Sequence, residues 1–188
     1  MCGIAGLLGP VGQDDARLCA LARRLADTLA HRGPDGAGTW ADATAGIALG
    51  HTRLAIIDLS AAGAQPMHSA DGRWVVVYNG EIYNHRDLHA ELARGGHAFR
   101  GHSDTEALVE GVAAWGFAAT LPRLNGMFAL AAWDRLERRL WLARDRLGEK
   151  PLYYASAGGA VLFGSELKAL AAHPEFDPGI DRGALVQY

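Results

Sequence analysis

The chain has 188 residues, 49% of them hydrophobic and 21% charged. That suffices for one ordinary core, excludes a disordered chain and argues against two full domains. Lys+Arg 18 against Asp+Glu 21 leave a net charge of −3, which gives no electrostatic case for nucleic acid or an anionic membrane.

Residues 4–8 read as a short apolar strand, ended by Pro10 and Gly12. Asp14 or Asp15 can cap a helix running to about residue 30, with Leu18, Leu21, Ala22, Leu25 and Leu29 as its apolar stripe. Cys19, beside that stripe, reads as a small buried hydrophobe. A turn-rich loop, His31-Arg32-Gly33-Pro34-Asp35-Gly36, comes next, then strand candidates at 38–41 and 46–52 and a long polar loop over 59–73. Residues 74–78 form a strong β run, and Asn79-Gly80 is expected to break it as a hairpin turn. A helix follows over 84–94, ended by Gly95-Gly96. Another opens with Ser103 as cap and Glu106 as capping-box partner, burying Leu108, Val112 and Trp115. Short β runs at 127–133, 139–144, 152–155 and 160–163 are separated by turns, before a last short helix over 165–172. Pro174 to Gly179 reads as a loop, and an apolar segment with Ile180, Leu185 and Val186 begins after it. Helices segregated from antiparallel hairpins mean α+β. No glycine phosphate loop is present.

The two cysteines, Cys2 and Cys19, are too few for a disulfide scaffold or a thiolate zinc site, and the eight His have no metal-binding spacing. The first basic residue is Arg17, unlike the start of a signal peptide, and the longest apolar run, 126–133, is far short of the ~20 residues that span a bilayer. A reducing cytoplasm is the expected compartment. Within it, Met1-Cys2-Gly3 has a particular chemistry. A small second residue permits removal of the initiator Met, leaving Cys2 with a free α-amine. That amine has a pKa of about 7.7–8.0. Nucleophile and base then belong to one residue, and no His partner is required.

At Tyr78-Asn79-Gly80-Glu81-Ile82-Tyr83-Asn84 the chain resembles the glutamine amidotransferase domain of the N-terminal nucleophile class, above all the N-terminal domain of glutamine-hydrolysing asparagine synthetase. Further matching blocks run in order: Met1-Cys2-Gly3-Ile4-Ala5-Gly6, the His31–Gly36 loop, Gly50-His51-Thr52-Arg53-Leu54-Ala55-Ile56, Gln65-Pro66-Met67, Ser103-Asp104-Thr105-Glu106, Leu124-Asn125-Gly126-Met127-Phe128-Ala129, and stretches over 143–154 and 163–170. Each block is weak alone, but their ordered sum over nearly the whole chain is specific.

The resemblance implies a four-layer αββα sandwich with two antiparallel sheets. It also implies roles. Cys2 attacks the side-chain amide of L-glutamine, and its α-amine carries the proton to departing ammonia. The side-chain amide of Asn79 and the backbone N–H of Gly80 stabilise the oxyanion. Arg53 clasps the α-carboxylate, Asp104 with help from Glu81 holds the α-ammonium, and Leu54 and Ile56 give backbone contacts. The His31–Gly36 loop is a candidate lid. His51 is expected to be structural. Asp145-Arg146 and Glu166-Lys168 are expected to form internal ion pairs or contacts to a following domain.

In the resembling enzymes ammonia reaches a synthetase domain that activates aspartate with ATP and magnesium, using a Ser-Gly-Gly loop that this sequence lacks. Residues 1–173 are therefore expected to be the amidotransferase domain and 174–188 a linker and the start of a synthetase domain absent from the chain. No cofactor is expected for the chain itself. L-glutamine and a synthetase domain, in cis or in trans, are the expected partners, and a homodimer is possible. Alternatives are a glutaminase serving another amide-forming enzyme, such as those making glucosamine phosphate, phosphoribosylamine or secondary metabolites, or a non-catalytic docking module of the same fold.

Overall fold

The structure is a computed structural model and describes residues 1–179 and 182–187. Strand β1 (Gly3–Leu8) leads to helix α1 (Asp15–Asp27), then strands β2 (Gly36–Asp42), β3 (Ile47–Arg53), β4 (Met67–His68) and β5 (Trp74–Ile82). Helices α2 (His85–Arg94), α3 (Asp104–Trp115) and α4 (Phe117–Thr120) follow, then strands β6 (Gly126–Asp134), β7 (Arg139–Arg144), β8 (Tyr153–Ala157) and β9 (Ala160–Gly164), and helices α5 (Leu167–Ala171) and α6 (Arg182–Gln187). No helix among the described residues is long and apolar enough to cross a membrane.

Two sheets form, with orders β2-β3-β1-β9-β8 and β4-β5-β6-β7, and all their strand pairings are antiparallel. The late run of strands reads as one meander but divides between the sheets: β6 and β7 extend the second, while β8 and β9 return to the first beside β1.

Period-2 alternation makes three cores from these two sheets. Ile4, Ile47, Leu49, Val75, Val77, Trp133 and Phe163 fill the gap between sheets. Val76, Tyr78, Leu108, Val112 and Leu130 pack the second sheet on α2 and α3. Leu7, Leu18, Leu25, Leu29 and Leu162 pack the first on α1 and α5. The result is the αββα sandwich. Each buried Leu of the α1 stripe contributes roughly 1.5–3 kcal/mol.

Helix α1 begins as read, with Asp14 accepting from Arg17 N–H at 2.7 Å, but ends at Asp27; a single 3-10 turn over Ala30–Arg32 then lowers the chain behind Cys2. Cys19 is half-buried rather than buried, because it lies one step round the helix from Leu18. Ser103 caps α3 by accepting from Glu106 N–H at 3.1 Å, but the Glu106 carboxylate does not return to Ser103. It accepts instead from Arg100 and Gly101 N–H, both at 2.8 Å.

The hairpin expected at Asn79-Gly80 is absent. Strand β5 continues to Ile82, pairing Asn79 with Ala129 and Gly80 with Phe128. Gly80 serves close strand approach: a Cβ there would stand 2.2 Å from the Met127 carbonyl oxygen and 2.8 Å from Phe128 Cα. Among the described residues Asp145 and Arg146 form no ion pair with each other either. Asp145 accepts backbone N–H groups of Phe128, Leu147, Glu149 and Lys150, pinning the turn after β7 onto β6. The last expected helix is shorter, at Leu167–Ala171. Of the apolar segment after the Pro174 loop, Ile180 lies outside the described residues, while Leu185 and Val186 on α6 are exposed.

Candidate active site

Cys2 stands at the head of β1, with the strand parity of Ile4, which faces the gap between sheets. Asn79 has the parity of Val75 and Val77, which face the same gap. The two strands thus bring a thiol and an amide to one end of the sandwich. Gly3 permits this packing, since a Cβ there would lie 2.6 Å from Thr52 Oγ1 and 2.8 Å from Leu29 Cβ. A pocket of about 100 Å³ opens at that end. All eight residues singled out by sequence line it: Cys2, Arg53, Leu54, Ile56, Asn79, Gly80, Glu81 and Asp104.

The thiol is held by backbone. Leu54 N–H donates to Cys2 Sγ at 3.3 Å, and Sγ lies 3.6 Å from the Leu54 carbonyl. Burial pushes the thiol pKa up; the Leu54 bond, the chain's amino terminus and Arg53 pull the other way, and Asp104 adds to the rise. At neutral pH the group is therefore a protonated thiol that needs a base.

Arg53 ends β3, and its guanidinium is braced by the loop beyond it. Nη2 donates to the carbonyls of Asp58 at 2.5 Å and Ser60 at 2.9 Å. Asp58 shapes that loop, accepting from Ser60 N–H at 2.8 Å, Ser60 Oγ at 2.6 Å and His102 N–H at 3.2 Å. The Ser60 hydroxyl is the main reason its carboxyl lies below the usual range. Ile56 and Leu59 on this loop are exposed.

Asp104 opens α3 and is 6% exposed. Its Oδ2 accepts from Tyr78 Oη at 2.7 Å and Ile82 N–H at 3.0 Å. Burial, and after it the charge of Asp104, push the Tyr78 phenol well above its ordinary range, so it remains a donor. Gln65 ties β5 to the same helix, accepting from Tyr78 N–H at 2.6 Å and donating to Thr105 Oγ1 at 3.2 Å.

Asn79 is 1% exposed, and its Nδ2 is buried without a hydrogen-bond partner among the described residues. Such donors are costly unless something occupies them. This one lines the pocket that holds Cys2. Glu81 is exposed at the rim. The pocket therefore carries a cation, a carboxylate, and a thiol with an unpaired N–H donor, and these suit a zwitterion with a reactive carbonyl.

Tyr78, Gln65, Asp58 and Lys150 also line the pocket and were not read as site residues. Tyr78 carried a signal: a lone hydroxyl ending a Val-Val-Val run, on the alternation that faces α3. Lys150 carried none.

The His31–Gly36 loop lies behind Cys2, and none of its residues lines the pocket. Arg32 Nε donates to the Cys2 carbonyl at 3.0 Å, and Arg32 Nη1 donates to Glu166 at 2.9 Å. Glu166 also meets His31 and, as expected, Lys168, both at 3.0 Å. Asp35 accepts from Ala55 N–H at 2.9 Å. The loop is a buttress rather than a lid. His51 is outside the pocket lining; burial foremost, with the repulsion of Arg53, lowers its pKa to about 4, so it is a neutral packing residue at pH 7.

Residues 1–188 match a family model described as a glutamine amidotransferase domain. The chain is 43% identical over 165 residues to asparagine synthetase [glutamine-hydrolyzing] 3 of Bacillus subtilis, covering 86% of this chain and 26% of that protein. It is 42% identical to a putative asparagine synthetase [glutamine-hydrolyzing] of Mycobacterium tuberculosis, over 100% of this chain and 31% of the other. The chain thus spans between a quarter and a third of these relatives' length. A solved structure of glutamine phosphoribosylpyrophosphate amidotransferase from B. subtilis, complexed with ADP and GMP, superposes with a TM-score of 0.74. It shares 23% identity over 91% of this chain and 43% of the other, a likeness of fold.

Proposed function

Because this chain belongs to the glutamine amidotransferase domain family, we propose that it cleaves the side-chain amide of L-glutamine with Cys2 as nucleophile. The observation that carries the reading is the unpaired Asn79 Nδ2 in the pocket of the Cys2 thiol, with Arg53 and Asp104 in the same lining.

Arg53 receives the α-carboxylate and Asp104 the α-ammonium. Glu81 reinforces the negative side, and the backbone around Leu54 and Ile56 holds the substrate stem. Simple amides lack both charges and are excluded. Sγ attacks the amide carbon, and the thiol proton passes to the Cys2 α-amine, which removal of Met1 frees. Negative charge gathers on the former amide oxygen, where Asn79 Nδ2 and Gly80 N–H meet it. The C–N bond breaks as the amine returns its proton to the leaving nitrogen, releasing ammonia. Water then cleaves the γ-glutamyl thioester to glutamate and the free thiol.

The ammonia acceptor is aspartate, in a synthetase domain that uses ATP and magnesium; the names of the relatives support this. Residues 1–173 form the amidotransferase unit, 174–188 the link to that domain, and the cytoplasm is the site of the reaction. The test is to incubate the processed chain with glutamine and measure glutamate and ammonia in equal amounts. Aspartate, ATP, magnesium and a synthetase domain from a related enzyme are then added, and asparagine is assayed. No glutamate release defeats the glutaminase reading. Glutamate without asparagine in the complete mixture redirects the acceptor.

A further inference from the structure

Lys150 is a buried cation that the reading above leaves unused. It is 6% exposed and lines the same pocket as Cys2. Its backbone is fixed: its N–H donates to Asp145 Oδ2 at 3.0 Å, and its carbonyl accepts from Arg144 Nε at 2.7 Å. Asp145 also accepts from Phe128 N–H at 3.2 Å, and Phe128 pairs with Gly80. The ammonium is therefore carried on the turn after β7, which Asp145 pins to the strand that pairs with Gly80. Among the described residues it makes no ion pair, and its partner is Met1 Sδ at 2.8 Å. A thioether is a weak acceptor for a buried charge.

Met1 is the residue whose removal the reaction needs. When it leaves, Lys150 loses that sulfur, and the new amino terminus belongs to Cys2, in the same pocket lining. A lysine ammonium lining that pocket makes a second ammonium there harder to form.

We propose that Lys150 holds the Cys2 α-amine in its unprotonated, proton-accepting form. The inference rests on the glutaminase reading. Other charges face the amine. Arg53 from β3 acts with Lys150, and Asp104 from α3 and Glu81 from β5 act against it. Asp145 lies behind the Lys150 backbone, and Arg32 grips the Cys2 carbonyl. Bound glutamine engages Arg53 and Asp104 with opposite charges and cancels them, while Glu81 is exposed and screened. Lys150 is the uncompensated charge on the side that Met1 vacates. It touches no reacting atom and works through the amine.

The experiment follows the acid limb of kcat, which reports the glutamine complex, in processed wild type, Lys150→Met, Lys150→Gln and Lys150→Arg. In parallel, carbamylation of the α-amine by cyanate is followed against pH by peptide mapping in a Cys2→Ser background, with the same Lys150 substitutions. Both neutral variants should move both midpoints to higher pH by about one unit, while Lys150→Arg stays near wild type. Unmoved midpoints in the neutral variants overturn the proposal. So does an equal shift in Lys150→Arg, which marks a packing effect. If Lys150→Met does not fold, Lys150→Gln and Lys150→Arg decide. Carbamylation needs no turnover, so failure of the glutaminase reading, seen as no glutamate from processed wild type, stays distinguishable.

Discussion

The Tyr78 phenol donates to Asp104 Oδ2 at 2.7 Å, so one oxygen of that carboxylate is fixed by β5 and the other is left for the pocket. A hydrogen bond to a charged group is worth roughly 1.5–3 kcal/mol. Ile82 N–H still holds Oδ2 when the phenol is removed, so the lower figure applies. Tyr78→Phe should raise the glutamine KM about tenfold and change kcat little. Initial-rate kinetics over a glutamine series check this, and an unchanged KM removes Tyr78 from substrate positioning.

Arg53 is aimed by two backbone carbonyls, a planar fork braced from behind. Arg53→Ala should raise KM by roughly 2–5 kcal/mol equivalent, thirtyfold or more. Arg53→Lys should recover little, because an ammonium is a point charge that cannot hold the loop and a carboxylate together. Normal glutamine binding by either variant would show that the pocket recognises its substrate elsewhere.

Asn79 Nδ2 has no partner among the described residues, and the proposed oxyanion would supply one. Asn79→Ala should therefore lower kcat by about 10²–10³ and leave KM nearly unchanged, the signature of an interaction made only in the transition state. Asn79→Asp should be no better, since it places an acceptor where a donor is needed. A variant that loses KM instead of kcat would make Asn79 a binding residue.

The site residues are legible through the ordered motif blocks rather than through periodicity. The expected strand stops at 78, so its alternation does not reach Asn79, and only the continuation of β5 to Ile82 gives Asn79 the parity of Val75 and Val77. Asn79-Gly80 misleads because the same pair makes good hairpin turns; here the neighbour Met127 needs a residue without Cβ, a tertiary demand invisible locally. The division of the late strands between two sheets is equally hidden, since hairpin signals give adjacency in pairs but not the sheet each pair joins. Lys150 is unreadable for a different reason. A lysine in a turn is ordinarily solvated, and the Asp145 backbone cage that fixes this turn is a tertiary feature.

Behind Cys2, Arg32 connects the nucleophile's carbonyl to Glu166. Burial alone would raise the Glu166 pKa, but hydrogen bonds from Arg32, Lys168 and His31 outweigh it and hold the carboxyl at about 2, below its ordinary value of 4.5. A depressed carboxyl pKa contributes stability that is present above the unfolded value and lost as pH falls through the folded one. Glu166→Gln should thus lower Tm at pH 7, and the deficit should shrink as pH falls from about 4.5 towards about 2. Paired melting curves across that window test it. A deficit independent of pH would assign Glu166 to packing rather than charge. The same variant should lower kcat several-fold with KM held, because Arg32 steadies Cys2 rather than glutamine.

The buried thiol makes Met1 decisive. Desolvation raises the Cys2 pKa, so at neutral pH the sulfur carries its proton and must pass it to a base. His51 is outside the pocket lining, and the base available at the right atom is the Cys2 nitrogen, an amide while Met1 remains. General base catalysis contributes typically about 10²–10⁴-fold. A chain bearing an uncleaved amino-terminal extension should lose activity by that factor. Cys2→Ala should abolish glutamate release, and Cys19→Ala, half-buried on α1 and outside the pocket, should keep most of it. Intact mass after a glutamine-like electrophile reports processing and labelling together, and one adduct on the form lacking Met1 is expected. Full turnover by a preparation whose mass retains Met1 would show that the proton leaves the thiol by another route.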